Sequence, residues 1–132
     1  MLFLGIFTTC TEQRSTFRND FKIINKLSFP IEIQLFRDGE FLDKIYLIPN
    51  GQRESTEWSE GSQLNPPPFL SDSAVFIYNE STLITHYRID YSIPKHNIHR
   101  SSDWDLRQDS DNHYIYSFII DEEDYEEAIE QQ

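Results

Sequence analysis

The sequence lacks the usual external supports of a small protein. Cys10 is the only cysteine among the 132 residues, which excludes a disulfide within the chain. No apolar run approaches the roughly 20 residues that a membrane-spanning helix needs. The chain is long enough for one domain and short for two. Its stability must therefore come from a single hydrophobic core.

Basic residues are also scarce. Eleven Lys and Arg stand against 23 Asp and Glu, which gives a formal net charge of −12. Affinity for phosphate backbones comes from Lys and Arg, so this balance argues against a nucleic-acid partner. The charge is uneven, because the last twelve residues hold seven acids and no base: Asp121, Glu122, Glu123, Asp124, Glu126, Glu127 and Glu130. Such an acidic end predicts an exposed, solvated terminus.

Cys10 lies where an apolar run gives way to polar residues. Residues 2–7 read LFLGIF, two threonines follow, and TEQR comes after the cysteine. A bacterial lipoprotein export signal ends in this way, and its cysteine thiol then receives a lipid. The pattern predicts a signal at residues 1–9 and membrane attachment through lipid on Cys10, in the bacterial cell envelope as an outer-membrane lipoprotein on its periplasmic or surface side. The absence of a basic residue before the run is expected if translation begins upstream of Met1.

Two other interpretations of this segment stay open. Residues 1–9 could form an end strand beside a buried thiol, since free cysteine is among the most buried residue types. They could also be an export signal that receives no lipid. The apolar run shows no alternation with polar residues, which favours a signal over a strand. After Cys10, the polar residues 10–20 predict a tether, and residues 21–132 predict the folded domain.

Short strands separated by turn residues dominate the predicted domain. Residues 31–35 alternate apolar and polar side chains, and an Asp38-Gly39 pair precedes the apolar run at 41–48, which predicts a tight hairpin. Three consecutive prolines within residues 60–71 predict a loop that crosses between sheets. The polar residues 92–111 are expected to be the least ordered part. The remaining predicted strands are 21–25, 52–59, 73–78, 82–89 and 113–120, the last of them central in its sheet.

A short helix is predicted at the C-terminal end. Asp121 is placed to cap its free amides, and Asp124 occupies the third helical position, as in a capping box. Ile120 is expected to contact Tyr125 across this cap. A narrow apolar stripe through Tyr125 and two following residues, Ala128 and Ile129, would hold the helix on the edge of a sheet.

These patterns together predict a mainly β fold: an antiparallel β-sandwich of about seven strands, Ig-like or transthyretin-like, with one short C-terminal helix. The whole arrangement resembles the small lipoproteins of Bacteroidetes-type bacteria. The segments that carry the resemblance are the signal that ends in Cys10, FKIIN, FRDGEFLDKIYLIPNG, DSAVFIYNESTLITHY and YIYSFIIDEEDYEEA. They match as strand and turn patterns, so the resemblance implies a β-sandwich-like domain on the cell envelope and no catalytic activity.

Candidate metal ligands occur in the polar stretch, but their pattern is incomplete. Arg107 stands where an EF-hand would have a third ligand, and no glutamate closes the loop. His96, His99 and His113 have no cysteine to complete a structural zinc site. We therefore expect neither a metal nor any other cofactor. The weak calcium candidates are the near-alternating carboxylates Asp103, Asp105, Asp109 and Asp111.

Trp58 and Trp104 both sit among polar residues and form the candidate binding surface. An exposed indole flanked by hydrogen-bonding side chains suits the recognition of a protein or a sugar, whereas a tryptophan folded inward would close one end of a sandwich. No nucleophile motif accompanies them, so an enzyme is not expected. The sequence predicts a non-enzymatic module that binds or assembles with an envelope protein or glycan. The alternatives are a structural lipoprotein without a discrete ligand and a carbohydrate-binding module that uses these tryptophans.

Overall fold

The computed structural model describes residues 15–90 and 92–132, and the predicted signal and lipidation at Cys10 lie outside them. Within these residues, eight strands form two four-stranded sheets, and one short helix follows β8. The prediction of a mainly β, two-sheet domain with a C-terminal helix is confirmed. No helix in the described part is long and apolar enough to cross a bilayer. The elements are β1 (Thr16–Asn25), β2 (Ile31–Arg37), β3 (Glu40–Leu47), β4 (Gln52–Glu60), β5 (Ser73–Tyr78), β6 (Thr82–Tyr87), β7 (Asp105–Ser110), β8 (His113–Ile120) and α1 (Glu122–Glu130).

The two sheets contain strands from both ends of the chain. Sheet A has the order β4-β1-β8-β7, and sheet B has the order β3-β2-β5-β6. The β8 strand is central in sheet A, as its apolar residues on both faces predicted. It pairs with β1 in parallel, whereas the other ladders are antiparallel. The prediction of a wholly antiparallel sandwich is therefore wrong at this ladder, because the chain enters β8 from the β7 hairpin in the same direction as β1.

Alternation along the strands places the core between the sheets. Every second side chain of β2 and β5 points to the same side, and these side chains are buried against their counterparts from β1 and β8. Each fully buried apolar side chain is worth about 1.5–3 kcal/mol relative to leaving it in water. The buried aromatic members of this core are Phe21, Phe76, Tyr78, Trp104, Tyr116 and Phe118.

The predicted hairpin between β2 and β3 is present with the turn that its sequence indicated. Asp38 has φ +52° and Gly39 has φ +79°, so both central residues have the left-handed conformation of a type I′ turn. The second predicted hairpin joins β5 to β6, and the proline-containing loop carries the chain from β4 in sheet A to β5 in sheet B. Local turn chemistry therefore predicted both connections correctly.

The N-terminal boundary differs from the prediction, because β1 begins at Thr16. Residues 16–20, which were assigned to a tether, are part of a central strand of sheet A. Asn19 is fully buried, and its amide donates to the Glu57 carbonyl and to Ser59 Oγ at 3.0 Å each, while its oxygen accepts from the Leu64 amide. Hydrogen bonds within the fold thus satisfy the polar side chains that made this segment look solvated.

The polar stretch at 92–111 is also more structured than predicted. Its last part forms β7, whose six residues are all exposed and which owes its extended shape to pairing with β8. Its middle part buries Asn97, Ile98 and His99. The sequence did not predict β7, which raises the strand number of the described residues from about seven to eight.

The C-terminal helix begins as predicted. Asp121 accepts hydrogen bonds from the Glu123 and Asp124 amides, and the Asp124 carboxylate accepts from the Asp121 amide, which completes the capping box. Tyr125 packs against Phe29 at 4.8 Å and against Tyr78 at 5.6 Å between ring centroids. The helix is thereby attached to sheet B through aromatic contacts.

Candidate binding surface

The two tryptophans have opposite environments. Trp104 is 4% exposed, lies between Phe21 and Phe118, and donates from Nε1 to the Ile98 carbonyl at 2.9 Å. This indole is part of the core, so Trp104 is removed from the candidate binding surface. Trp58 is 66% exposed and therefore remains available to a ligand. The physical reason for the difference is strand alternation, which places Trp58 opposite Arg18 on the outer face of sheet A, whereas Trp104 packs inward and finds a hydrogen-bond acceptor there.

Trp58 lies on β4, an edge strand of sheet A, and forms a row across the sheet with an arginine and a histidine. Its direct neighbour on β1 is Arg18, and the neighbour of Arg18 on β8 is His113. Residues that are directly opposite in neighbouring strands point to the same face of a sheet. The three side chains therefore share the outer face of sheet A.

A buried carboxylate fixes the polar members of this row. The Asp20 side chain is 9% exposed and accepts hydrogen bonds from Arg18 Nε at 3.1 Å, Thr56 Oγ1 at 2.7 Å and His113 Nε2 at 2.7 Å. Burial alone would raise the pKa of Asp20, but the hydrogen bonds from His113, Thr56 and Arg18 outweigh burial and lower it. We call Trp58, Arg18, Asp20, Thr56 and His113 the Trp58 surface.

Sequence reasoning found only Trp58 and His113 among these residues. Arg18 and Asp20 were assigned to a tether, although the alternation in β1 between polar residues and Phe21 and Ile23 was a usable strand signal. Their long-range partners could not be identified from the sequence, since the bond between Asp20 and His113 joins residues 93 positions apart.

The calcium candidates are not arranged around one point. Asp105 and Asp109 belong to β7, where alternate side chains stand roughly 6–7 Å apart along an extended strand instead of wrapping around an ion. Asp103 instead accepts from the Asn97 amide and from Arg100, and Asp111 lies in the turn between β7 and β8. Within residues 15–90 and 92–132, no three Asp, Glu, His or Cys side chains converge as a metal ion would require.

The histidines considered for zinc are separately engaged. His99 Nε2 lies 2.8 Å from Ser71 Oγ, and both residues are buried. Burial lowers the pKa of His99 to about 4, and the Arg88 charge adds to this effect. His99 Nδ1 is buried without a hydrogen-bond partner. The pair thus lacks the carboxylate that orients a catalytic histidine, and its serine is closed off from substrate.

His96 connects the polar stretch to α1. Its Nδ1 lies 2.8 Å from Asp124 Oδ1, its Nε2 lies 3.0 Å from the Asp103 carbonyl, and its ring stacks on Phe118 at 4.1 Å. Burial alone would lower the pKa of His96, but the bonds to these two acceptors outweigh burial and raise it. Both ring nitrogens face acceptors, so the protonated imidazole suits this position. Burial raises the pKa of Asp124, although its bonds with His96 and the Asp121 amide oppose the shift.

A shallow cleft lies beside His96, between the polar stretch and α1. Its volume is about 570 Å³, and six of its thirteen lining residues are acids of the C-terminal end. Asp121, Glu123, Glu126 and Glu130 face solvent, as the sequence predicted for that end, whereas the Asp124 side chain is only 9% exposed.

A smaller cleft opens between the two sheets, where the edge strands β3 and β4 face each other. It has a volume of about 360 Å³, and we call it the edge cleft. Its floor is apolar, with side chains from β1, β2 and β3. Its walls are polar on the β4 side, and the proline-containing loop closes one end. The lining includes Phe21, Ile23, Leu35, Leu42, Asp43, Ile45, Arg53, Ser55, Thr56, Glu57, Pro68 and Phe69.

Comparison of the chain with protein-family models, curated protein sequences and solved structures finds no match. The fold that is shown is the two-sheet β domain with its C-terminal helix.

Proposed function

We propose that this chain is a non-enzymatic binding or assembly module of a bacterial cell envelope, held at the membrane by lipid on Cys10, with the Trp58 surface as its contact face. The observation that carries the proposal is the exposure of Trp58 beside Arg18, which is held by the buried Asp20 carboxylate. A large exposed aromatic ring on a rigid strand, with oriented hydrogen-bonding groups next to it, is the composition of an interface hot spot.

The anchor is supported by the residues around Cys10. The apolar run before it and the polar residues after it suit cleavage before the cysteine, transfer of a diacylglyceryl group to the thiol and acylation of the new amino group. Two lipid signals give stable membrane attachment, whereas one chain gives only reversible binding. Because β1 begins at Thr16, the six residues from Cys10 reach at most about 20 Å. The domain would therefore stay close to the bilayer surface.

A non-enzymatic role is supported by the state of the nucleophile candidates. Ser71 is buried beside His99, and the pKa of His99 is lowered to about 4, far from that of a useful base at neutral pH. Asp124 is a largely buried acid of the acidic end, and its carboxylate is engaged by His96 and by the Asp121 amide within the capping box.

A glycan is the alternative ligand that a specific observation favours. Sugars stack on exposed aromatic rings and accept hydrogen bonds from guanidinium groups, and Trp58 and Arg18 are direct neighbours on one sheet face. A structural lipoprotein without a discrete ligand predicts instead that Trp58 has no partner in the cell.

Photo-crosslinking in the host bacterium tests the contact face. A photoreactive amino acid at position 58 should give a discrete adduct, and the matched control is position 46, where Tyr46 is 55% exposed on the edge strand of sheet B. Loss of the adduct on protease treatment identifies a protein partner, and sensitivity to periodate identifies a glycan. Equal labelling at both positions, or none at either, would refute the proposed contact face.

Labelling with radioactive palmitate tests the anchor independently. The wild-type chain should incorporate label and sediment with membranes, and Cys10→Ala should do neither. An unlabelled wild-type chain with an intact leader would refute the lipid anchor without affecting the contact face.

A further inference from the structure

The open edge of β4 carries unpaired backbone groups. The bonds from the Asn25 amide to the Gly51 carbonyl and from the Gly61 amide to the Ser15 carbonyl mark the two ends of the ladder with β1. In an antiparallel ladder only alternate residues bond to a given neighbour, so the other set points away from it. The β4 residues with outward-pointing amides and carbonyls are Gln52, Glu54, Thr56 and Trp58.

No other strand of the described residues lies beside this edge, since β4 is terminal in sheet A. The register with β1 continues through nine residue pairs without a bulge, and β4 contains no proline. Natural edge strands are commonly interrupted by one of these features. The β4 edge is therefore a regular template to which an additional strand can bond.

The edge cleft continues this template into the sandwich. The inward-pointing residues of β4 are polar and exposed at Arg53, Ser55 and Glu57, although they lie directly opposite a β1 segment that includes Phe21 and Ile23. An apolar edge strand would have sealed the sandwich here. A strand about 4.8 Å beyond β4 would direct alternate side chains into the cleft and the others toward the Trp58 face.

Charge restricts which strand can bind. The β4 strand has Glu54, Glu57 and Glu60 against the single Arg53, and Asp43 lines the facing wall of the cleft. Lys22 of β1 lies 3.7 Å from Glu54 and offsets part of its charge, whereas Glu57 and Glu60 make no ion pair within the described residues. Two copies of β4 would bring like charges together, which disfavours pairing between copies. A strand with Lys or Arg on its outward face would meet Glu54 and could place a cation over the Trp58 ring.

We propose that β4 is the docking edge for an extended peptide segment of another protein, one that alternates apolar and basic residues. Its backbone bonds to the outward amides and carbonyls of β4, its apolar side chains enter the edge cleft, and its basic side chains lie over Glu54 and Trp58. This inference rests on the proposed function, and it identifies the partner of the Trp58 surface as protein.

A synthetic nine-residue peptide that alternates Val and Lys, with both ends blocked, is the probe. At about 150 mM salt it should bind saturably and slow the hydrogen exchange of the outward-pointing β4 amides, such as those of Glu54 and Trp58. The exchange at Tyr46 on the edge strand of sheet B should not change. A peptide of the same composition with all Val before all Lys should bind at least about tenfold more weakly, which corresponds to about 1.4 kcal/mol.

Substitution at position 54 separates backbone pairing from charge. Glu54→Pro removes an outward amide without breaking the ladder with β1 and should weaken binding about tenfold. Glu54→Ala keeps the outward amide and removes the exposed carboxylate with its contacts to Lys22 and Gln52, and it should weaken binding less than about threefold. A peptide that is N-methylated at alternate residues cannot donate its backbone hydrogen bonds, so its binding to the unaltered protein should also weaken about tenfold. This measurement gives a result even if Glu54→Pro does not fold.

Three outcomes would overturn the peptide edge: no saturation by about 1 mM peptide, equal binding of the block peptide, or exchange protection outside β4. None of them affects the crosslink from position 58. A glycan adduct at that position together with an inactive peptide would leave the proposed function standing and refute this inference alone.

Discussion

Removing the imidazole of His96 should loosen the attachment of α1 in a pH-dependent way. His96→Phe keeps a ring that can stack on Phe118 but removes both hydrogen bonds, to Asp124 and to the Asp103 carbonyl. A hydrogen bond to a charged group is worth about 1.5–3 kcal/mol. The His96 side chain is 31% exposed, so we expect a loss near the lower end, about 2 kcal/mol. For a domain of this size, that loss corresponds to a fall in Tm of about 6–10 °C.

The pH dependence follows from the raised pKa of His96. The folded protein binds this proton more tightly than the unfolded chain, so the extra stability is fully present below the unfolded pKa of about 6.5. It is lost as the pH rises through the folded pKa. The difference between wild type and His96→Phe should therefore be largest near pH 6 and smaller at pH 8.5. Urea unfolding followed by the fluorescence of the buried Trp104 measures both values.

A double-mutant cycle with Asp124→Asn isolates the pair. The coupling free energy between His96 and Asp124 should be about 1–2 kcal/mol at pH 6 and decline toward zero at high pH. A coupling within error of zero, or a loss in His96→Phe that is the same at every pH, would refute the assignment of a protonated His96 to this contact.

Three further predictions concern the tryptophans, the Asp20 carboxylate and the turn between β2 and β3. Acrylamide should quench only the emission that Trp58→Phe removes, and quenching of Trp104 as well would contradict its burial. Asp20→Asn should lower the free energy of unfolding by about 2 kcal/mol at pH 7, because charge-assisted hydrogen bonds are lost. Since the pKa of Asp20 is lowered, the difference in stability between wild type and Asp20→Asn should shrink as the pH falls through the folded pKa. A difference that stays the same at low pH would contradict this role of Asp20. Gly39→Ala should cost about 1 kcal/mol in urea unfolding because φ is +79°, and an unchanged midpoint would show that the turn is not type I′.

The parts of the fold that local chemistry determines could be predicted from the sequence. The Asp38-Gly39 pair strongly favours a tight turn. Asp121 followed by Asp124 marks the start of a helix, independently of what the helix packs against. Both features depend on residues within a few positions of each other. The two-sheet architecture followed because the β-branched and aromatic clusters were regularly spaced.

The parts of the fold that depend on partners distant in sequence could not be predicted. The strand β7 has no apolar residue on a buried face, so its extended form is a consequence of β8 alone. The role of Asp20 depends on Thr56 and His113, which only the strand order brings to it. The polar flanks of Trp58 and Trp104 are alike in sequence, yet only Trp104 finds an inward acceptor. Long-range pairing of this kind is what a single sequence leaves undetermined.

The parallel contact between β1 and β8 sets the order of events in biosynthesis. The β1 strand completes its central pairing only with β8, about 95 residues further along the chain. Pairing between such distant segments is slow, because the entropy of closing a long loop is lost before any stabilising hydrogen bond forms. A nascent chain therefore cannot complete sheet A until residues 113–120 have been synthesised.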